Sequence, residues 1–274
     1  MTAEYFLDHE IYYHEYISGQ RFVDICHLTK GVHFDKIDLL DNLTRSCNVL
    51  VTHNSDWPLD EKCFLRHASK VNVRWFAQNQ EYQHEKTEAI PIGLNNFRLG
   101  HNKDNFQEWP EALEFNRYID QTAREKRDKD GLILLNFNDA TDRRSNERSD
   151  LRDEHTCNKW ITQTPHDPSL WREYYRDLAR HKFVFSPRGN GVDCVRTWEA
   201  LYLRTIPVMM RSTAMEAFND LPIIFVTHWN QVTPSFLEER YEEIVNRKYD
   251  LSKMRIGWWA NRIKHFAKQG ENNG

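Results

Sequence analysis

The segment running Ser186-Pro187-Arg188-Gly189-Asn190-Gly191-Val192-Asp193-Cys194-Val195-Arg196-Thr197-Trp198-Glu199 carries the densest chemistry in the chain. An apolar run, Lys182 to Phe185, precedes it, and a stretch with helical spacing, Arg196 to Leu203, continues from it. A buried strand that breaks at Pro187 into a glycine turn and then enters a helix makes an anion cradle. Free N–H groups point outward, the helix dipole favours negative charge, and Gly189 and Gly191 let an anion approach the backbone. Arg188 and Arg196 would grip a diphosphate in fork geometry, with Ser186, Pro187, Asn190 and Thr197 completing the turn. Asp193 reads as a cap of the helix, whose orphan N–H groups a short acceptor satisfies. Glu199, about one turn into the helix, suits a pair of sugar hydroxyls; a solvated helix glutamate is the alternative. The turn has neither the lysine of a P-loop nor the third glycine of a dinucleotide fingerprint.

Two further polar segments follow apolar runs. Asn136-Phe137-Asn138-Asp139 follows Leu132 to Leu135, and Thr52-His53-Asn54-Ser55-Asp56 follows Asn48 to Val51. In parallel sheets, ligands bind beyond the carboxyl ends of strands, so all three segments are candidates for one shared site. Asn136, Asn138, Arg143, Arg144 and Arg148 form a cationic cluster from which Arg144 is chosen as a second diphosphate ligand. The mixed charges of Asp142 to Glu154 equally fit a solvated helix face. An ionisable group facing the cradle from the other half of the chain is a candidate general base. Asp56 is chosen for that role, with His53 as substitute or orienting partner; a carboxylate in a turn also serves as a local cap.

Positioning these residues needs strands alternating with helices. Short apolar runs occur at Asn48–Thr52, Val71–Ala77, Ala89–Leu94, Leu132–Phe137, Lys182–Phe185, Thr205–Met210 and Ile223–Val226. Helical patterns occupy Leu170–His181, Arg196–Leu203 and Ser235–Arg247, and Leu251–Lys268 is amphipathic. The alternation predicts an α/β protein with parallel sheets covered on both faces. The charge run Glu108–Asp130 marks a link between halves, giving units at 1–125 and 126–250 and a terminal helix and tail at 251–274.

Composition narrows the partners. A formal charge of −4 lacks the basic face that nucleic acid or an anionic membrane requires. The five cysteines have no zinc spacing and are expected as reduced thiols in the cytoplasm. No apolar run approaches the roughly 20 residues of a membrane span, and Met1 is not followed by a signal segment, so a soluble chain without an anchor is expected. Asp128-Lys129-Asp130 matches a cation-binding DxD pattern but precedes a strand inside a charge run, and reads as solvated; no metal is expected.

Phe183 to Met209, with Ser-Pro-Arg-Gly-Asn-Gly, Asp-Cys, Arg-Thr-Trp-Glu-Ala-Leu-Tyr-Leu and Thr-Ile-Pro-Val in order, resembles the nucleotide-sugar-binding half of the exostosin-like glycosyltransferases. The resemblance continues more loosely through Trp75–Asn79, Ile90–Leu94 and Leu221–Leu237, while Met1 to Asp41 matches no pattern. It implies a GT-B architecture, two Rossmann-like domains facing each other across a cleft. It also implies inverting transfer of a sugar from a UDP-sugar to a hydroxyl of an acceptor glycan, forming a β-linkage. The compact size is similar to the soluble members of large algal viruses, which include a β-xylosyltransferase; xylose is the donor sugar this implies, with galactose or glucuronic acid next. Family position places Trp160-Ile161-Thr162 at the uracil and supports Glu199 at the ribose. Where the family often has histidine, this chain has Val195, which leaves sugar specificity untransferred. A non-catalytic nucleotide-sugar or carbohydrate-binding protein is the alternative, and an NAD-linked enzyme fails for want of the fingerprint.

Overall fold

The structure, a computed structural model, describes residues 11–272 apart from 12, 30, 35–36, 96–97, 101–105, 109, 126–127, 143 and 156. Its strands are β1 (Val32–Phe34), β2 (Cys47–Thr52), β3 (Val71–Ala77), β4 (Thr87–Ala89), β5 (Arg98–Gly100), β6 (Phe106–Glu108), β7 (Gly131–Leu135), β8 (Ile161–Gln163), β9 (His181–Phe185), β10 (Ile206–Met210) and β11 (Ile224–Val226). The helices are α1 (Gly19–Thr29), α2 (Glu61–His67), α3 (Pro110–Arg124), α4 (Glu147–His155), α5 (Trp171–Arg180), α6 (Val195–Tyr202), α7 (Thr213–Glu216), α8 (Pro234–Val245) and α9 (Ile256–Asn272). This is a mixed α/β protein with two parallel sheets, compatible with two Rossmann-like units.

The first sheet runs β1-β2-β3-β4 and the second β11-β10-β9-β7-β8, with every neighbouring pair parallel. A two-stranded antiparallel ribbon, β5-β6, stands apart. Central strands buried on both faces need continuous apolar sequence, which is what Phe183-Val184-Phe185 and Leu134-Leu135 supply; all five side chains are fully buried. Helix starts follow local chemistry. Asp60 accepts from the Cys63 N–H at 2.7 Å ahead of α2, and Thr233 caps α8, with Pro234 in the first turn.

The expected strand at Ala89–Leu94 is shorter and earlier, as β4. Pro91 lacks a ladder donor and Gly93 takes φ 70°, so the segment leaves the sheet as a turn. The three-residue β8 and β1 have no apolar run long enough to reveal them.

Two segments cross between the sheets. Helix α3, on the first side of the division at residue 125, packs against α5 and α6, which flank the second sheet. Helix α9 returns to pack on α1, β2 and β3. Arg262 pairs there with Glu88, and Trp259 is buried against Phe22 with ring centroids 6.3 Å apart. One continuous core therefore joins Val49, Val51 and Phe76 of the first sheet to Leu134, Val184 and Met209 of the second.

The order of the second sheet matters for function. In sequence β7 comes first, β8 is added on one side, and β9, β10 and β11 are added on the other. The connections reverse between β7 and β9. At such a switch point the following loops diverge and leave a crevice beyond the carboxyl ends of the strands.

Candidate functional site

A cavity of about 620 Å³ lies beyond the switch point, and both halves of the chain line it. After β9, the peptide N–H of Gly189 donates to the Gly191 carbonyl at 3.0 Å and closes the turn. Gly189, Asn190 and Gly191 line the cavity, and the buried Asn190 Oδ1 has no hydrogen-bond partner. A Cβ on Gly189 would stand 3.0 Å from Arg148 Nη2, so a side chain there would crowd a guanidinium. Ser186 and Thr197 have another task. Their hydroxyls, 2.9 Å apart and buried, lash the end of β9 to the start of α6, and neither they nor Pro187 line the cavity.

Helix α6 aims its N-terminus at the cavity. Its N-cap, Cys194, makes no side-chain capping bond, so the first N–H groups are left for a ligand. Val195, Arg196 and Glu199 share the face that lines the cavity, while Trp198 and Ala200 are fully buried behind it. Arg196 donates from Nε to the Asn136 carbonyl at 3.1 Å, and its buried Nη1 has no partner. Asn136 also holds the loop after β8, donating to Thr164 Oγ1 at 2.8 Å and to the Pro165 carbonyl at 3.1 Å.

The second cation is Arg148, not Arg188. Arg148, on α4, donates from Nε to the Arg188 carbonyl at 2.7 Å and from Nη1 to the Asn138 carbonyl, and it lines the cavity. Burial lowers its pKa, and the Arg196 charge lowers it further. Two guanidiniums that repel each other in a half-dry crevice would both gain from an anion between them. Burial and then the same two arginines also lower the pKa of His166, which keeps its imidazole neutral at pH 7.

Several sequence expectations need correcting. Arg188 turns its side chain to Asn190 and Gly189 carbonyls and to a neighbouring cavity. Arg144 lines that neighbouring cavity too, stacked 4.1 Å over the Trp57 ring and donating to the Asp56 carbonyl at 2.7 Å. Asn138 lines the main cavity, with its side chain capping a short turn at Ala140. Arg143 lies outside the described residues. Trp160 and Thr162 do not line the cavity: Trp160 packs edge-on to His155, and Thr162 is exposed on β8. The lining comes from Thr164, Pro165 and His166, because β8 ends at Gln163 and only the loop past it reaches the crevice.

Glu199 is buried rather than solvated. Tyr174 donates to its Oε2 at 3.0 Å and Tyr175 to its Oε1 at 2.7 Å; burial raises the carboxyl pKa against the pull of those bonds. With Trp171 and Phe115, the tyrosines form an aromatic wall at this end of the cavity. The α5 pattern announced a helix, but nothing in it distinguished a packing face from a ligand face.

From the first half come Asp56, Ile92, Asn95 and Phe115. Asp56 is exposed and lines the same cavity as the glycine turn. His53 does not. It is fully buried, with Nε2 3.0 Å from the Pro91 carbonyl and Nδ1 2.9 Å from Asn54 Oδ1, and it holds the turn from beneath. Asp193 does not cap α6. It accepts from Trp198 Nε1 at 2.8 Å and from the Ile92 N–H at 2.5 Å. The DxD segment sits at the amino end of β7, away from the crevice; Lys129 turns inward to Thr205 Oγ1 at 2.7 Å, and Asp130 pairs with Arg180.

No protein-family model matches the chain, and no curated protein sequence matches it significantly. Among the described residues, no helix is long and apolar enough to cross a membrane.

Proposed function

We propose that the protein is an inverting, UDP-sugar-dependent glycosyltransferase of GT-B architecture, moving a sugar to a hydroxyl of an acceptor glycan. The observation that carries the reading is the switch-point crevice. A glycine turn, the N-terminus of α6 and the Arg148–Arg196 pair converge in it, and Asp56 lines the same cavity. The diphosphate would lie on the turn and the two guanidiniums, which stabilise the charge that gathers on departing UDP. Glu199 would accept ribose hydroxyls, with the base against Trp171 and the tyrosines. The sugar would then extend toward Asp56, whose carboxylate takes the acceptor proton as oxygen attacks the anomeric carbon from the face opposite UDP. Because the arginines supply the positive charge, transfer in excess chelator is expected. The resemblance of Phe183–Met209 to exostosin-like enzymes supports the same reading and favours xylose as donor.

Calorimetry with UDP and a UDP-release assay over a panel of UDP-sugars test it. Binding together with acceptor-dependent release is expected, and the Asp56→Asn variant should bind UDP yet fail to transfer. Absence of UDP binding would reject the site. Binding without release across the panel would favour a non-catalytic carbohydrate-binding protein instead.

A further inference from the structure

One chain of hydrogen bonds crosses from the turn that bears Asp56 to the glycine turn. Asn79 donates from Nδ2 to the Ser55 carbonyl at 2.7 Å and accepts at Oδ1 from the Asp193 backbone N–H at 2.9 Å. Asp193 accepts in turn from the Ile92 N–H and from Trp198 on α6. Both side chains are buried. Asn79 adopts φ 53°, a left-handed conformation that asparagine tolerates better than most side chains. Gly191 makes room for it: a Cβ there would stand 2.7 Å from Asn79 Nδ2. The amide is matched to its place, presenting a donor to a carbonyl and an acceptor to an N–H. An aspartate there would set an oxygen against the Ser55 carbonyl.

We propose that Asn79 and Asp193 are positioning residues, a buried strut that fixes the Asp56 turn at a set distance from the glycine turn. The role rests on the glycosyltransferase reading above, in which those two turns carry the base and the donor. A base must lie within hydrogen-bond reach of the hydroxyl it deprotonates, and a misplacement of about 1 Å costs on the order of 100-fold in rate. Arg144 also reaches the Asp56 carbonyl, but from the exposed surface; the strut is the buried tie.

The test uses the full chain with Asn79→Gly, which keeps the left-handed backbone and removes both bonds, and with Asp193→Asn. Expected are a UDP dissociation constant within about threefold of wild type and a kcat lower by on the order of 100-fold for Asn79→Gly. Asp193→Asn, which leaves either the Ile92 N–H or the Trp198 indole unpartnered, should turn over more slowly with UDP affinity within about threefold of wild type, a split of kcat from binding that a merely structural role would not give. Unchanged kcat in Asn79→Gly, or UDP affinity falling in step with kcat, would overturn the strut. If the wild-type chain neither binds UDP nor releases it, the enzyme reading fails separately. Hydrogen exchange over residues 53–57 then still judges the strut: exchange faster by about tenfold or more in Asn79→Gly supports it, and unaltered exchange overturns it.

Discussion

Replacing Asp193 with asparagine should remove a loss of stability that the wild type suffers as pH rises from about 4 to 7. Burial raises the Asp193 carboxyl from 3.8 to about 7, against the pull of its hydrogen bonds from Ile92 and Trp198. An acid with a raised folded-state pKa keeps its proton in the folded chain where the unfolded chain has released it. Between about pH 4 and pH 7 the folded form therefore binds more protons, so stability falls as pH rises and stays reduced above that window. Each pH unit is worth about 1.4 kcal/mol, so Asp193 alone removes about 4 kcal/mol across it.

Asparagine cannot ionise, but its Nδ2 cannot accept, so either the Ile92 N–H or the Trp198 indole loses its partner, at a cost of about 1–3 kcal/mol at every pH. Asp193→Asn should be less stable than wild type near pH 4, and the difference should move in its favour by about 4 kcal/mol by pH 8, a relative shift of roughly 10 °C in Tm. Glu147 and Glu199, raised by burial, and Asp167 and Asp250, lowered chiefly by serine hydrogen bonds, titrate in both proteins and cancel in the difference. Paired melts from pH 4.5 to 8 measure it. A difference between the two proteins that does not change with pH would refute the reasoning.

Other substitutions probe single links. Arg196→Ala should weaken UDP binding by on the order of 10- to 100-fold in calorimetry, the worth of one or two charge-assisted hydrogen bonds, with little change in melting temperature. Glu199→Ala should bind UDP and 2′-deoxy-UDP with nearly equal affinity, whereas wild type should favour UDP; equal preference in both proteins would remove Glu199 from the ribose. Gly93→Ala should cost about 2 kcal/mol or more in denaturant melts, because φ is 70° and a Cβ would stand 2.4 Å from the Ile17 carbonyl oxygen.

The sequence was most legible where one short segment contains its own partners. Phe185 through Glu199 states strand, turn and helix in order, and β9, the glycine turn and α6 follow it closely. Roles that depend on distant partners were not written there. Arg188 and Arg148 have the same chemistry, and only the packing of α4 under the turn decides that Arg148 faces the cavity while Arg188 faces out. Asp193 sits where a cap belongs, yet its acceptors are claimed by Ile92, 101 residues away, and by the Trp198 indole. Family position puts the base pocket at Trp160–Thr162, but those residues belong to or flank the short β8, and only the loop beyond Gln163 lines the cavity.

The same distinction explains why the strut lay hidden. Asn79 follows β3 and looks in sequence like any turn asparagine, and Asp193 like any helix-start aspartate. Each is locally sufficient as a turn residue, so local pattern gives no reason to look further. Their joint meaning arises only when α9 and α3 cross between the sheets and bring the ends of β3 and β9 face to face. Holding an ionised carboxylate there costs stability that a neutral side chain would spare. Proteins retain such a cost mainly where activity needs it, so the kcat of Asp193→Asn, read beside the pH dependence of its stability, bears directly on whether this residue serves the fold or the chemistry.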